Sequence, residues 1–383
     1  MRSCYRASRP HHAWRTATAA LVLLGACAAS AAEHPDAAPV FTGRTVGGAT
    51  ELLYACIQDE AKIAVIDAAT HEVVRTIDLT ELGFSPNAKP HHIYVEPGGE
   101  HWNVSLIGDN RVVRFDREGA IVAQYEMETP GMLAYAASRD LLLASRSMSA
   151  VNPPTRVSLI RGGSMDGEQI DVLFPRPHPM VASADGRWAY TGSLGVNQLA
   201  AIDLETDEVT LTSIDGPPHA LVQFALSPDG RTLVASTELT GLLLVFDLAD
   251  PANPELTRSI EVGPMAFDPM FAPDGRSVWV PVKGADEVVV LDAESWTITE
   301  RIDGQGLAQP HGLLFSADGR WAFVSNNNKA DHMADPAHAD HTGGDGASGD
   351  GNVTVIDAAS YEIVKVIDLG ENVTGMGIGG ASD

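Results

Sequence analysis

The chain has 383 residues, with 25 Lys and Arg against 51 Asp and Glu and a formal charge of −26. A surface that acidic repels phosphate backbones and anionic lipid, which argues against nucleic acid as a partner and favours a soluble protein or a collector of cations. Aromatic residues are only 6% of the chain, so small alternating side chains must build the core.

The first 27 residues hold Arg2, Arg6, Arg9 and Arg15, no acid, and the apolar run Ala19-Ala20-Leu21-Val22-Leu23-Leu24. That order predicts a secretory signal peptide over 1–27, too short to span a membrane. It ends Leu24-Gly25-Ala26-Cys27, which resembles the lipobox of bacterial lipoproteins. The resemblance implies a lipid anchor at Cys27 and a place in the periplasm or on the outer membrane. Ordinary cleavage near Ala29-Ser30-Ala31-Ala32 is the alternative. Without the four leader arginines, 21 basic residues face 51 acidic ones, a charge of −30. Cys4 and Cys27 belong to the leader, so Cys56 has no partner for an internal disulfide. Its apolar run Leu52-Leu53-Tyr54-Ala55-Cys56-Ile57 predicts a buried, inert thiol.

Residues 28–39 are rich in Ala, Pro and Asp and read as a tether; structure is expected from Val40. From there a unit recurs whose clearest copy runs from Pro310 to Leu369. It contains four short β-branched or aromatic runs separated by turn residues, as in a four-stranded antiparallel sheet. The Asp that closes the third run is a ruler: Asp67, Asp116, Asp203, Asp247, Asp292 and Asp357, with Arg161 in the one divergent copy. The successive separations are 49, 45, 42, 44, 45 and 65 residues. Four strands every ~40–45 residues is the mark of a β-propeller blade. Seven copies predict an all-β, seven-bladed propeller over residues 40–383, with an insertion at about 328–351 in the last blade.

The first blade shows three runs, Glu51 to Ile57, Lys62 to Asp67 and Glu72 to Leu79. Its missing inner strand is expected from the other end of the chain, around Thr374 to Ile378, which would close the ring and remove open sheet edges. Blade two begins at Pro90-His91-His92, the irregular blade three at Gly131-Met132, and blade four at Pro177-His178. Blade five begins at Pro217-Pro218-His219, and blade six at Pro264-Met265. The dipeptides Asp185-Gly186, Asp229-Gly230, Asp274-Gly275 and Asp318-Gly319 supply residues that tolerate positive φ between the first and second strands.

The sequence Pro-His-x, then Asp-Gly-Arg, then Phe323-Val324-Ser325-Asn326, then Val-x-Val-Ile-Asp resembles the YVTN family of bacterial seven-bladed propellers. The resemblance covers nearly the whole chain after the leader and is clearest in blades four to seven. It implies the fold firmly and the activity poorly, because relatives include surface-layer proteins, lactonase-like hydrolases and the haem d1 domain of nitrite reductase. No haem is expected here: Cys-x-x-Cys-His is absent and seven blades do not suit the eight-bladed d1 domain.

Two sets of residues carry candidate chemistry. His91, Met132, His178 and His311 stand seven residues before the Asp-Gly turn position. His219 and Met265 precede their strands with a small offset. Equivalent positions in different blades face one place, so these side chains are expected around one mouth of the central channel. A Pro-His strand-start signature with purely structural imidazoles is the alternative. The second set is the stretch Asp331 to His341, with His332, His338, His341, Met333 and three Asp. Short His-rich tracts bind metal, His with Met favouring copper and His with Asp favouring zinc or nickel; a plain polar loop is the alternative. In a four-stranded blade this insertion and the Pro-His segment leave from the same face. The sequence therefore suggests a binding module for a transition metal, copper or zinc, or for a small ligand or protein partner. A lactonase-like hydrolase or metal-dependent oxidoreductase at the same mouth is the alternative.

Overall fold

The structure, a computed structural model, describes residues 50–146, 153–329 and 349–380. The expected signal peptide and tether, the expected start at Val40 and most of the expected blade-seven insertion lie outside the described residues. Within them are seven four-stranded antiparallel sheets. The middle strands of each blade are buried on both faces by neighbouring blades, which is why Ser277–Val282 and Glu287–Asp292 are nearly continuous apolar runs. Outer strands alternate instead, as Ile121–Glu126 does between half-buried and exposed residues. Aromatics fasten blade to blade. Trp102 stacks on Tyr54 of blade one at 4.8 Å and on Phe115 at 4.3 Å. Each such ring removes ~150–250 Å² from water, a gross gain of about 4–6 kcal/mol.

The ring closes as the missing strand requires. Val373–Gly379 pairs with Leu52–Ile57, placing Leu53 opposite Ile378 and Ala55 opposite Met376. Its outer face runs against blade two so closely that a Cβ on Gly375 would lie 2.2 Å from the His91 carbonyl oxygen. Only glycine fits there.

At the far end of each blade the ruler aspartate caps its own turn. Asp67 accepts the Ala69 and Thr70 amides, both at 2.9 Å. Asp357 accepts those of Ala359 and Ser360, both at 3.0 Å, and Asp292 that of Ser295 at 2.7 Å. In blade three, where Arg161 replaces the aspartate, Asp140 takes over. It accepts the Gly163 amide at 3.3 Å and the Tyr135 hydroxyl proton. The Asp-Gly turns adopt the left-handed conformation their glycines allow, with φ of 70° at Gly186 and 71° at Gly275.

Candidate functional site

The register of the channel mouth is set by one left-handed residue per blade, just before the inner strand. These are Lys89, Thr129, Arg176, Ala220, Met265, Gln309 and Asn372, with φ between 45° and 59°. Most of their carbonyls accept the amide of the residue that leaves the second strand: Gln58 to Asn372 at 3.0 Å, Leu194 to Arg176 at 3.1 Å, Lys283 to Met265 at 2.9 Å and Asn327 to Gln309 at 3.1 Å. Two places after the left-handed residue come Thr374, His91, Gly131, His178, Val222, Phe267 and His311, from blades one to seven. They form the mouth ring.

This register corrects three of the spacings read from the sequence. Blade three contributes Gly131 rather than Met132, blade six contributes Phe267 rather than Met265, and blade five contributes Val222 rather than His219. The cause is the left-handed residue itself, which re-aims the chain after the Pro217-Pro218-His219 loop. His219 is a loop staple: Nδ1 pairs with the Thr240 hydroxyl of its own blade at 2.9 Å and Nε2 with the carbonyl of Asp215, in the connection from blade four, at 3.2 Å.

His91, His178 and His311 do come together. Their ring centroids are 6.3 Å apart for His91 and His178 and 6.4 Å for His91 and His311. Blades two, four and seven are not neighbours, so their side chains approach this closely only near the propeller axis. All three are buried, at 2%, 5% and 5% exposure. His91 Nδ1 lies 3.0 Å from the Gln58 side-chain oxygen, and His178 Nδ1 lies 2.6 Å from the Val222 carbonyl oxygen. Thr374 Oγ1 lies 3.3 Å from the same Gln58 oxygen. The opposite arc of the mouth is apolar. Val222, Met265 and Phe267 cluster there with Leu194, His311 packs on Phe267 at 4.9 Å, and the buried Lys283 ammonium sits 4.8 Å over the Phe267 ring.

The Pro90-His91-His92 motif brings a second imidazole to this region. His92, next to His91 on the inner strand, accepts the Leu133 amide at Nδ1, 3.2 Å away. Desolvation, helped by His178, lowers its pKa to about 3, so it stays neutral at ordinary pH. The His91-His92 doublet was its only signal.

The blade-seven insertion leaves from this same face. The Gln309 side chain holds both the amide and the carbonyl of Lys329, and the Lys329 ammonium pairs with Asp59 at 2.9 Å. At the other end the Gly349 amide bonds the Asn328 carbonyl at 3.1 Å. His332, His338 and His341 lie outside the described residues. Among the described residues no three His, Cys, Asp or Glu side chains are already grouped to hold a metal ion.

Comparison with solved structures agrees on the architecture. A streptogramin B lyase superposes with a TM-score of 0.60 at 14% identity, covering 71% of this chain and 86% of the lyase. The chain is a seven-bladed β-propeller. The propeller also matches a dihydro-haem d1 dehydrogenase, NirN, in complex with DHE, with a TM-score of 0.60 at 16% identity over 89% of this chain and 76% of the other. No family model matches the sequence. Curated relatives are distant. Protein NirF of Stutzerimonas stutzeri is 24% identical over 296 residues, 72% of this chain and 73% of that one. A 6-phosphogluconolactonase of Enterobacter sp. (strain 638) is 24% identical over 174 residues, 43% of this chain. The chain spans about half the length of that lactonase, 52%.

Proposed function

We propose that the propeller is an exported, YVTN-type binding module whose channel mouth takes a transition-metal ion, zinc or copper, on His91, His178 and His311. The observation that carries this is the convergence of three buried imidazoles from three separated blades. Imidazole suits both metals, and the acidic surface concentrates cations. With Zn–N bonds of ~2.0–2.1 Å, the His91–His178 and His91–His311 pairs would each close by roughly 1 Å from their present spacing. Residues 330–348, anchored at the same mouth through their flanks, are proposed to add donors from His332, His338 or His341.

Calorimetry at neutral pH on untagged, metal-free protein tests the reading. Zinc or copper is expected to bind tighter than about 1 μM, and His178→Ala with His311→Ala is expected to abolish binding. Ligation needs neutral imidazole, so affinity is expected to weaken below pH ~6.5. A parent with no such affinity overturns the proposal; loss only on deleting 330–348 moves the site to the insertion. Export through a Cys27 anchor has its own test, since Cys27→Ser is expected to move the protein from the membrane to the soluble fraction. A hydrolytic reading draws support from the lactonase relative alone. Turnover of a sugar lactone that is lost in the same double variant would favour it.

A further inference from the structure

The acceptors behind two of the mouth histidines determine which nitrogen each presents. Gln58 leaves the second strand of blade one, 1% exposed, with its side-chain oxygen 3.0 Å from His91 Nδ1. An amide oxygen accepts and cannot donate, so His91 Nδ1 carries the proton. The same logic holds for His178, whose Nδ1 faces the Val222 carbonyl oxygen at 2.6 Å. In a neutral imidazole one proton on Nδ1 leaves Nε2 with its lone pair.

We propose that Gln58 is a positioning residue: it fixes His91 as the Nδ1–H tautomer, so that His91, like His178, offers Nε2 as an electron-pair donor to a transition-metal cation. Blades two, four, five, six and seven carry Ile107, Leu194, Glu238, Lys283 and Asn327 at the place of Gln58. Asn327 is also an amide, but its nitrogen donates to Asn372 and Val373. Among the described residues at this place Gln58 is the one whose amide oxygen meets a mouth imidazole, and Thr374, also from blade one, bonds that same oxygen. His178 reaches the same state through main chain, which no substitution at Val222 removes. An outer acceptor of this kind orients a ligating ring and raises its basicity, and losing one typically costs 10–100-fold in metal affinity. The inference rests on the metal-binding reading, but its first observable does not need metal.

Protein labelled with ¹⁵N-histidine is examined metal-free at pH 7.5 by long-range ¹H–¹⁵N correlation, with His91 and His178 assigned by single substitution. Both are expected as Nδ1–H tautomers. Gln58→Leu is expected to shift His91 toward the other tautomer and weaken zinc binding by ~10–100-fold, while leaving the His178 signal in place. Gln58→Glu, which keeps an acceptor oxygen, is expected to restore both. His91 found as Nε2–H in the parent overturns the inference even if zinc binds. So does a Gln58→Leu protein with unchanged tautomer and zinc affinity. His91 as Nδ1–H in a parent that binds no zinc instead overturns the metal reading and leaves Gln58 with its effect on the ring alone. The parent spectrum decides the tautomer even if Gln58→Leu fails to fold.

Discussion

The two ends of the propeller obey different rules. At the turn end, six blades carry the same capping aspartate and the seventh rebuilds the cap from Asp140. At the mouth end, the backbone repeats as strictly, with a left-handed residue in all seven blades. Yet the side chains two places on are Thr, His, Gly, His, Val, Phe and His. Where a side chain is needed to shape the blade, the sequence repeats it. Where the backbone holds its shape without one, side chains are free to differ, and ligand chemistry has room to appear.

The largest effect is expected from forcing a side chain into the mouth end as structure. Gly375→Val puts a Cβ against the His91 carbonyl oxygen and His92 Cα, at 2.2 and 2.9 Å. Overpacking main chain against main chain is expected to cost about 3 kcal/mol or more, read as a lower urea midpoint. A loss under about 1 kcal/mol would mean the closing strand is easily displaced.

A smaller effect separates the two kinds of mouth-end histidine. His219→Ala removes bonds to Thr240 and Asp215 and is expected to cost about 1–2 kcal/mol of stability with metal affinity unchanged. His178→Ala is expected to do the opposite, weakening metal binding more than folding. If His219→Ala alone abolished binding in a folded protein, the assignment of the ring would be wrong.

The smallest effect belongs to the turn end and appears in acid. The Ser295 amide and hydroxyl hold Asp292 below the usual carboxylate range, and the Ser360 amide does the same for Asp357. A carboxylate whose folded pKa is lowered stabilises the protein above its unfolded pKa of ~3.9, and that stability is lost as pH falls through the folded value. The thermal midpoint is therefore expected to be insensitive to these caps above about pH 4 and to drop below it. Asp292→Asn is expected to flatten that acid limb slightly; an unchanged limb would mean that its cap contributes nothing to acid sensitivity.

Much of this was legible in sequence because the turn-end caps are side-chain chemistry. Six aspartates from Asp67 to Asp357, with Arg161 at the seventh place, mark seven blades, and the missing strand of blade one pointed to Thr374–Ile378, within the observed Val373–Gly379. The mouth was half legible. His91, His178 and His311 follow Pro at the right place, but Ala220 and Met265 take left-handed φ without being glycine or asparagine. No residue type announces that. The eye then follows Pro-Pro-His to His219 and misses Val222. Gln58 was invisible for a different reason: its partner lies in another blade, so no local spacing connects them.

Closure by the last strand also gives the molecule a clock. The contact between Gln58 and Thr374 joins residues 316 positions apart, so no growing or partly threaded chain can make it until residue 374 is available. Blades two to seven each hold all four of their strands within one local stretch, whereas blade one waits, its inner edge bare, for residues 373–379. The oxygen that steers His91 is steadied only when that wait ends. A chain without residues 372–383 would keep six blades and all three mouth imidazoles, yet would lack Thr374 and the strand against which His91 is set, so competence at the mouth reports that residues 373–379 have docked.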